Sequence, residues 1–294
     1  MKKYALIYAI ACFAAMALFC SCKGGKAADG PRFKISVCDW MMIKRQQDGA
    51  IELAAELGYD GLEADMNTLS DYPTFQSRFK NNPEELQRYK ALAEEKGIEI
   101  SSVAMSGFYG QPFGKRDSYI EPVADCIEVM KGLGVKVCFL PLGIYSDIQA
   151  EPELRPIVVE RLRTVGKMAR EAGVIIGLET SLDAEGDLAL LKEIGCDAIK
   201  IYFKLQNPLD NGRDIHKELR TLGADNICMI HCTNTDGFLL RDDPELDMPA
   251  IKSTLEEIGY SGWLVVERSR DASRVHEVPY NYGENCRYLK EIFS

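Results

Sequence analysis

The chain has no block of basic residues, no Walker lysine motif, no GxSxG elbow and no HExxH helix. Each absence removes a class. Without clustered Lys and Arg there is no electrostatic footprint for nucleic acid. The missing motifs argue against P-loop nucleotide binding, serine acyl transfer and zinc proteolysis. No Pro/Gly/Ser-rich linker divides the chain. Its 294 residues, 46% hydrophobic and 27% charged, suit one large single-core domain or two small ones. The formal net charge of -10 favours solubility and says little about substrate.

Long apolar runs are also scarce. The one at the N-terminus, Tyr4 to Phe19, follows Lys2 and Lys3 and is short for a bilayer span. It runs into Leu18-Phe19-Cys20-Ser21-Cys22, then Lys-Gly-Gly-Lys. This resembles a bacterial lipoprotein signal over residues 1–22, with Cys22 as the lipidated cysteine because the small Ser21 precedes it. Residues 23–31 then read as a flexible tether. The expected location is the cell envelope, lipid-anchored and periplasm-facing, without a spanning helix.

Ten cysteines suggest a disulfide framework, but Cys12, Cys20 and Cys22 belong to the leader. The seven others have no regular spacing, and several sit in apolar runs. Buried free thiols are the expectation. Cys228 and Cys232 bracket His231, yet on a regular strand they point away from it.

From Arg32 to Ser294 the chain alternates short apolar strands with amphipathic helices. The expected strands are Lys34–Cys38, Gly61–Ala64, Glu99–Met105, Lys136–Leu140, Val174–Glu179, Ala198–Lys204, Ile227–His231 and Trp263–Glu267. The expected helices are Ala50–Leu57, Pro83–Lys96, Ile120–Leu133, Pro156–Ala172, Asp187–Ile194, Ile215–Leu222, Met248–Ile258 and Glu284–Ile292. A glycine follows nearly every helix, which is a C-cap signal. Eight such repeats predict an α/β fold, a single (β/α)8 TIM barrel over residues 32–294. A doubly wound sheet would carry a glycine-rich turn after its first strand; Val37-Cys-Asp-Trp-Met-Met stands there instead.

Functional residues of such a barrel sit at the carboxyl ends of its strands. Those ends read Asp39/Trp40, Glu63, Met105/Ser106, Pro141, Glu179, Lys204, His231 and Glu267. The last four come from consecutive strands and converge on one side of the mouth. Glu179, His231 and Glu267 are good ligands for a divalent cation; Lys204, with donors only, is not.

Residues 32–294 resemble the xylose-isomerase-like barrels of sugar isomerases and epimerases. The carriers are Gly58-Tyr-Asp-Gly-Leu-Glu63, Ile176-Gly-Leu-Glu179, Met229-Ile-His231 and Gly259-Tyr-Ser-Gly-Trp-Leu-Val-Val-Glu267. The resemblance implies a divalent metal (Mn, Zn, Co or Mg) held by Glu, Asp, His and Glu from strands five to eight. Glu179, His231 and Glu267 match. Tyr202-Phe-Lys-Leu-Gln-Asn207 puts Lys204 on the aspartate and keeps Asn207 in place. It also implies proton transfer between Glu179 and Glu267 through a metal-stabilised enediolate. With Lys204 present, three arrangements are open. Three ligands hold the metal; the ammonium replaces the metal; or the site only binds. A lysine Schiff base ranks below these.

The expected function is therefore a sugar isomerase or epimerase with an altered metal site, using Glu179, Glu267 and Lys204. The alternatives are a non-catalytic carbohydrate-binding lipoprotein and a keto-sugar lyase or hydratase. Trp40, Glu63, Glu185 and Asn207 are candidate contacts to a small sugar or polyol derivative. His216 reads as a solvated helix position, and the roles of Arg268 and Arg270 are open. Only 3 histidines argue against the multi-zinc repair endonucleases of the same superfamily.

Overall fold

Eight parallel strands close on themselves in chain order. They are β1 Phe33–Cys38, β2 Gly61–Asp65, β3 Glu99–Ala104, β4 Val137–Pro141, β5 Ile175–Glu179, β6 Ile199–Lys204, β7 Ile227–Cys232 and β8 Gly262–Val266. A helix follows each strand, so this is the expected (β/α)8 barrel. The computed structural model describes residues 32–294 apart from 44 and 236; the signal segment and Cys22 lie outside the described residues. Among those described, no helix is long and apolar enough to cross a membrane.

Helix starts follow capping chemistry. Asn82 Oδ1 accepts from the Glu85 amide at 3.3 Å, Asp183 Oδ1 from Gly186 at 2.8 Å, and Asp247 Oδ1 from Ala250 at 3.0 Å. Helix ends follow glycine: Gly97, Gly134, Gly173 and Gly195 adopt left-handed φ values of 70°, 79°, 68° and 67°. The departures from expectation are local. The Asp183 cap starts one helix at Ala184 rather than Asp187. The closing helix is Val278–Phe293, opening with a proline in its first turn well before Glu284. Two short helices, Asp39–Met42 and Gln206–Asp210, were not expected, because four or five residues carry no readable period.

The apolar residues form two layers. The larger packs the outer strand faces against the helices. The smaller fills the barrel with Cys38, Ala104, Phe139, Tyr202, Met229 and Val265. The seven cysteines of the barrel are free thiols, as expected. Cys228 corrects one reading. The β6–β7 register slips between Ile201 and Tyr202, and Cys228 packs against the inner layer, its thiol 3.3 Å from the Ile201 carbonyl.

Gly177 on β5 is required where these strands crowd. A Cβ there would lie 2.6 Å from Cys228 Sγ and 3.0 Å from the Tyr202 ring. Gly177→Ala should cost about 1–3 kcal/mol of stability, measured as the urea midpoint, by overpacking. Adding Cys228→Ala should recover part of that loss.

Candidate active site

Register builds the site before any side chain is considered. Pairing sets Lys204 beside His231 on β6 and β7, and Cys38 beside Glu63 on β1 and β2. Glu179 ends β5 and Glu267 follows the last residue of β8. All four residues expected at one side of the mouth do meet there.

Lys204 is the centre of the upper layer. Its Nζ lies 3.1 Å from Glu267 Oε2 and 3.4 Å from Glu179 Oε1. Each carboxylate has a second donor. The Tyr109 hydroxyl donates to Glu179 Oε1 at 2.6 Å, and Thr233 Oγ1 donates to Glu267 Oε2 at 2.9 Å. His231 Nδ1 faces the same pair, 3.5 Å from Glu179 Oε2 and 4.0 Å from Glu267 Oε2.

The lower layer holds His231 in place. Its Nε2 lies 2.9 Å from Glu63 Oε1. The other Glu63 oxygen accepts from Ser102 Oγ at 2.6 Å and from the Tyr202 hydroxyl at 2.7 Å. The Cys38 thiol donates to Glu63 Oε1 at 3.3 Å. Glu63 and His231 are fully buried, and the rings of Tyr202 and Phe139 pack on the imidazole at 4.3 and 4.7 Å. A buried carboxylate bonded to one ring nitrogen orients the other towards the mouth.

Charge assignments follow. Burial pushes the His231 pKa down, but Glu63 and Glu179 outweigh it and raise it to about 10. Burial likewise works against the Lys204 ammonium, and Glu179 and Glu267 overcome that, holding its pKa above the ordinary lysine value. Burial would raise the Glu267 pKa; Lys204 and His231 hold it at about 2 instead. Glu179 is lowered in the same way: burial opposes ionisation, and Lys204 and His231 prevail. At neutral pH the ionised Glu179 and Glu267 thus face the charged Lys204 and His231.

Glu179, His231 and Glu267 place one ligand atom each within 4.8 Å of one another, a spacing open to a metal ion. The charge of Lys204 weighs against one. The charged ammonium already bridges the two carboxylates, and a dication among them would lie against it. The four-ligand centre implied by the resemblance is therefore not formed by these residues; its fourth position is a cation.

The remaining candidates divide. Trp40 is half-buried on the inner layer at the mouth. Asn207 lines a cleft of about 140 Å³ with Glu179, Lys204, Asp147, Ile144 and Asp210, and its amide donates to the Leu182 carbonyl at 3.1 Å. Glu63, expected on the substrate, is buried with both oxygens engaged, so it acts through His231. Glu185 sits exposed in the first turn of the helix Ala184–Ile194 and lines a different pocket, with Arg213 and Lys217. His216 is not simply solvated: its Nδ1 lies 2.8 Å from Thr254 Oγ1. Tyr109, Tyr202 and Thr233 were missed. Tyr202 and Thr233 lie two residues from Lys204 and His231, and strand alternation would have found them. Tyr109 lies in the turn Ser106–Tyr109 after β3, where no period points inward.

The His231 charge predicts a pH effect. Its folded pKa of about 10 exceeds the ordinary 6.5, so its contribution to stability is full below about pH 6.5 and is lost as pH rises through about 10. The urea midpoint should fall across that interval. His231→Gln should remove that part of the slope.

Comparisons with known proteins bear on the fold. A 3-keto-D-glucoside 4-epimerase from E. coli shares it at a TM-score of 0.68 and 17% identity, over 88% of this chain and 99% of that one. The D-psicose 3-epimerase of Clostridium cellulolyticum H10, solved with D-tagatose, gives 0.70 at 16% identity over 89% and 99%. An inosose dehydratase of Klebsiella pneumoniae subsp. pneumoniae is 22% identical over 255 residues, 73% of this chain and 83% of that protein. Residues 51–292 match the family model described as xylose isomerase-like TIM barrel, and the chain belongs to that family.

Proposed function

We propose that this barrel is a sugar-modifying enzyme of isomerase or epimerase type that uses Lys204 where a metal is expected. The observation that carries the reading is the Lys204 ammonium held 3.1 and 3.4 Å from two carboxylates in the mouth. The sugar epimerases and inosose dehydratase named above support the substrate class.

The chemistry follows from the donors. An ammonium has three N–H groups, so two can hold Glu179 and Glu267 while the third meets a substrate oxygen. The His231 Nδ1–H is a second donor aimed at the same place. Together they stabilise charge developing on an enediolate, less strongly than a dication would. One of Glu179 and Glu267 removes the proton next to the carbonyl, and the other returns a proton from its own side. Both carboxylates are weak bases while Lys204 is on them. A substrate oxygen that takes part of the ammonium's bonding raises their basicity as it binds, which couples binding to proton removal.

A lyase reading shares the same enolate and is favoured by the inosose dehydratase likeness. There Lys204 or His231 would donate to a departing hydroxyl rather than leave the oxygen in place.

The test is proton exchange in heavy water, followed by NMR over a panel of ketoses, keto-sugars and inososes. Deuterium should enter at the carbon beside the carbonyl, and Glu267→Gln should slow it by about a hundredfold or more. An unsaturated product would select the lyase. Absence of exchange with every sugar would leave only a carbohydrate-binding role and would overturn the reading. Elemental analysis should separately find little manganese, zinc or cobalt on the protein. Lys204→Asp should gain about one ion per chain.

A further inference from the structure

Immediately after Glu267, two successive non-glycine residues adopt left-handed backbone: Arg268 at φ 55° and Ser269 at φ 61°. Such conformations are uncommon outside glycine and persist where surrounding structure enforces them. The enforcement is visible. Ser269 Oγ donates to the Cys232 carbonyl at 3.2 Å and lies 3.3 Å from the Glu267 carbonyl. Asn285 Nδ2, from the closing helix, donates to the Ser269 carbonyl at 2.6 Å. Ser269 and Asn285 are both buried. Two buried polar side chains thus fix a turn at the barrel mouth, while Arg268 stays exposed.

Several other arginines of the barrel are engaged. Arg45 pairs with Asp65, Arg213 with Glu218, and Arg161 donates to two backbone carbonyls. The Arg268 guanidinium makes no hydrogen bond or ion pair with a described residue. It follows in sequence a carboxylate bonded to Lys204. Its charge is felt at Lys204, where it works against the ammonium. A second cation whose charge reaches a charged lysine, with no anion of a described residue to meet it, is an unfavourable placement. It is repaid when the anion arrives with the ligand.

We infer that Arg268 is a specificity-determining residue that binds an anionic group of the substrate, so that the preferred sugars are acidic ones carrying a carboxylate or a phosphate. The planar guanidinium matches either group through two parallel N–H···O bonds. It also offsets the repulsion that a chain of net charge -10 exerts on an anion. The inference rests on the proposed sugar site and adds a substrate class to it. Its test reads binding alone, so failure of turnover would not be mistaken for failure of Arg268.

The experiment is isothermal titration calorimetry of the purified protein at low salt with D-glucuronate, D-glucose 6-phosphate and D-glucose. At least one acidic sugar should bind about tenfold or more tightly than D-glucose, an amount consistent with one charge-assisted contact. Arg268→Gln should bring it to the D-glucose level, and Arg268→Lys should retain part of the preference. Arg170→Gln, at an exposed helix position in the last turn of Arg155–Ala172, should change nothing. Preference for glucuronate over the phosphate would assign a carboxylate, and the reverse a phosphate. Equal affinity or no binding for all three sugars would overturn the inference, as would a preference that survives Arg268→Gln.

Discussion

The ammonium of Lys204 between Glu179 and Glu267 is the interaction on which the mouth of this barrel depends. Two buried carboxylates so close would otherwise repel, and one would take up a proton. The lysine keeps both ionised, and they keep the lysine charged against the cost of burial. The arrangement therefore sustains itself, and it occupies the place where related barrels are expected to bind a cation. A buried charge set of this kind is not in itself a large source of stability. In the proposed reaction it would hold a positive donor over the point where an enediolate forms.

Beneath it, the Glu63–His231 pair sets the direction of the imidazole. Glu63 is bound by Ser102, Tyr202 and Cys38, so it has no freedom to turn to a ligand. The result is a layered site, with Glu63 and its partners below His231 and Lys204 with its two carboxylates above it. Rings of Tyr202 and Phe139 close the sides of the imidazole and keep water from it. Donors preorganised in a dry environment act more strongly on developing charge than the same groups in water.

The fold follows from hydrophobic patterning and caps that are local. Helix-ending glycines recur before the strands, and capping Asn and Asp side chains begin four helices. Such signals act within a few residues, so they survive in a linear reading. The short helix Gln206–Asp210 is too brief to carry a period, and the slipped register at Cys228 depends on the neighbouring strand, so no local signal announces either.

The site divides in the same way. The chain itself determined that Glu179, Lys204, His231 and Glu267 converge, because parallel strands in order must bring their ends to one rim. It also determined that the fourth position carries an ammonium rather than a metal ligand, since residue type alone sets that chemistry. Only tertiary structure decided that this ammonium bridges the glutamates, that Glu63 faces His231 rather than a substrate, and that Tyr109 reaches Glu179. Those contacts join residues between 25 and 168 positions apart. Their distances depend on barrel closure and on side-chain packing, which no stretch of sequence contains.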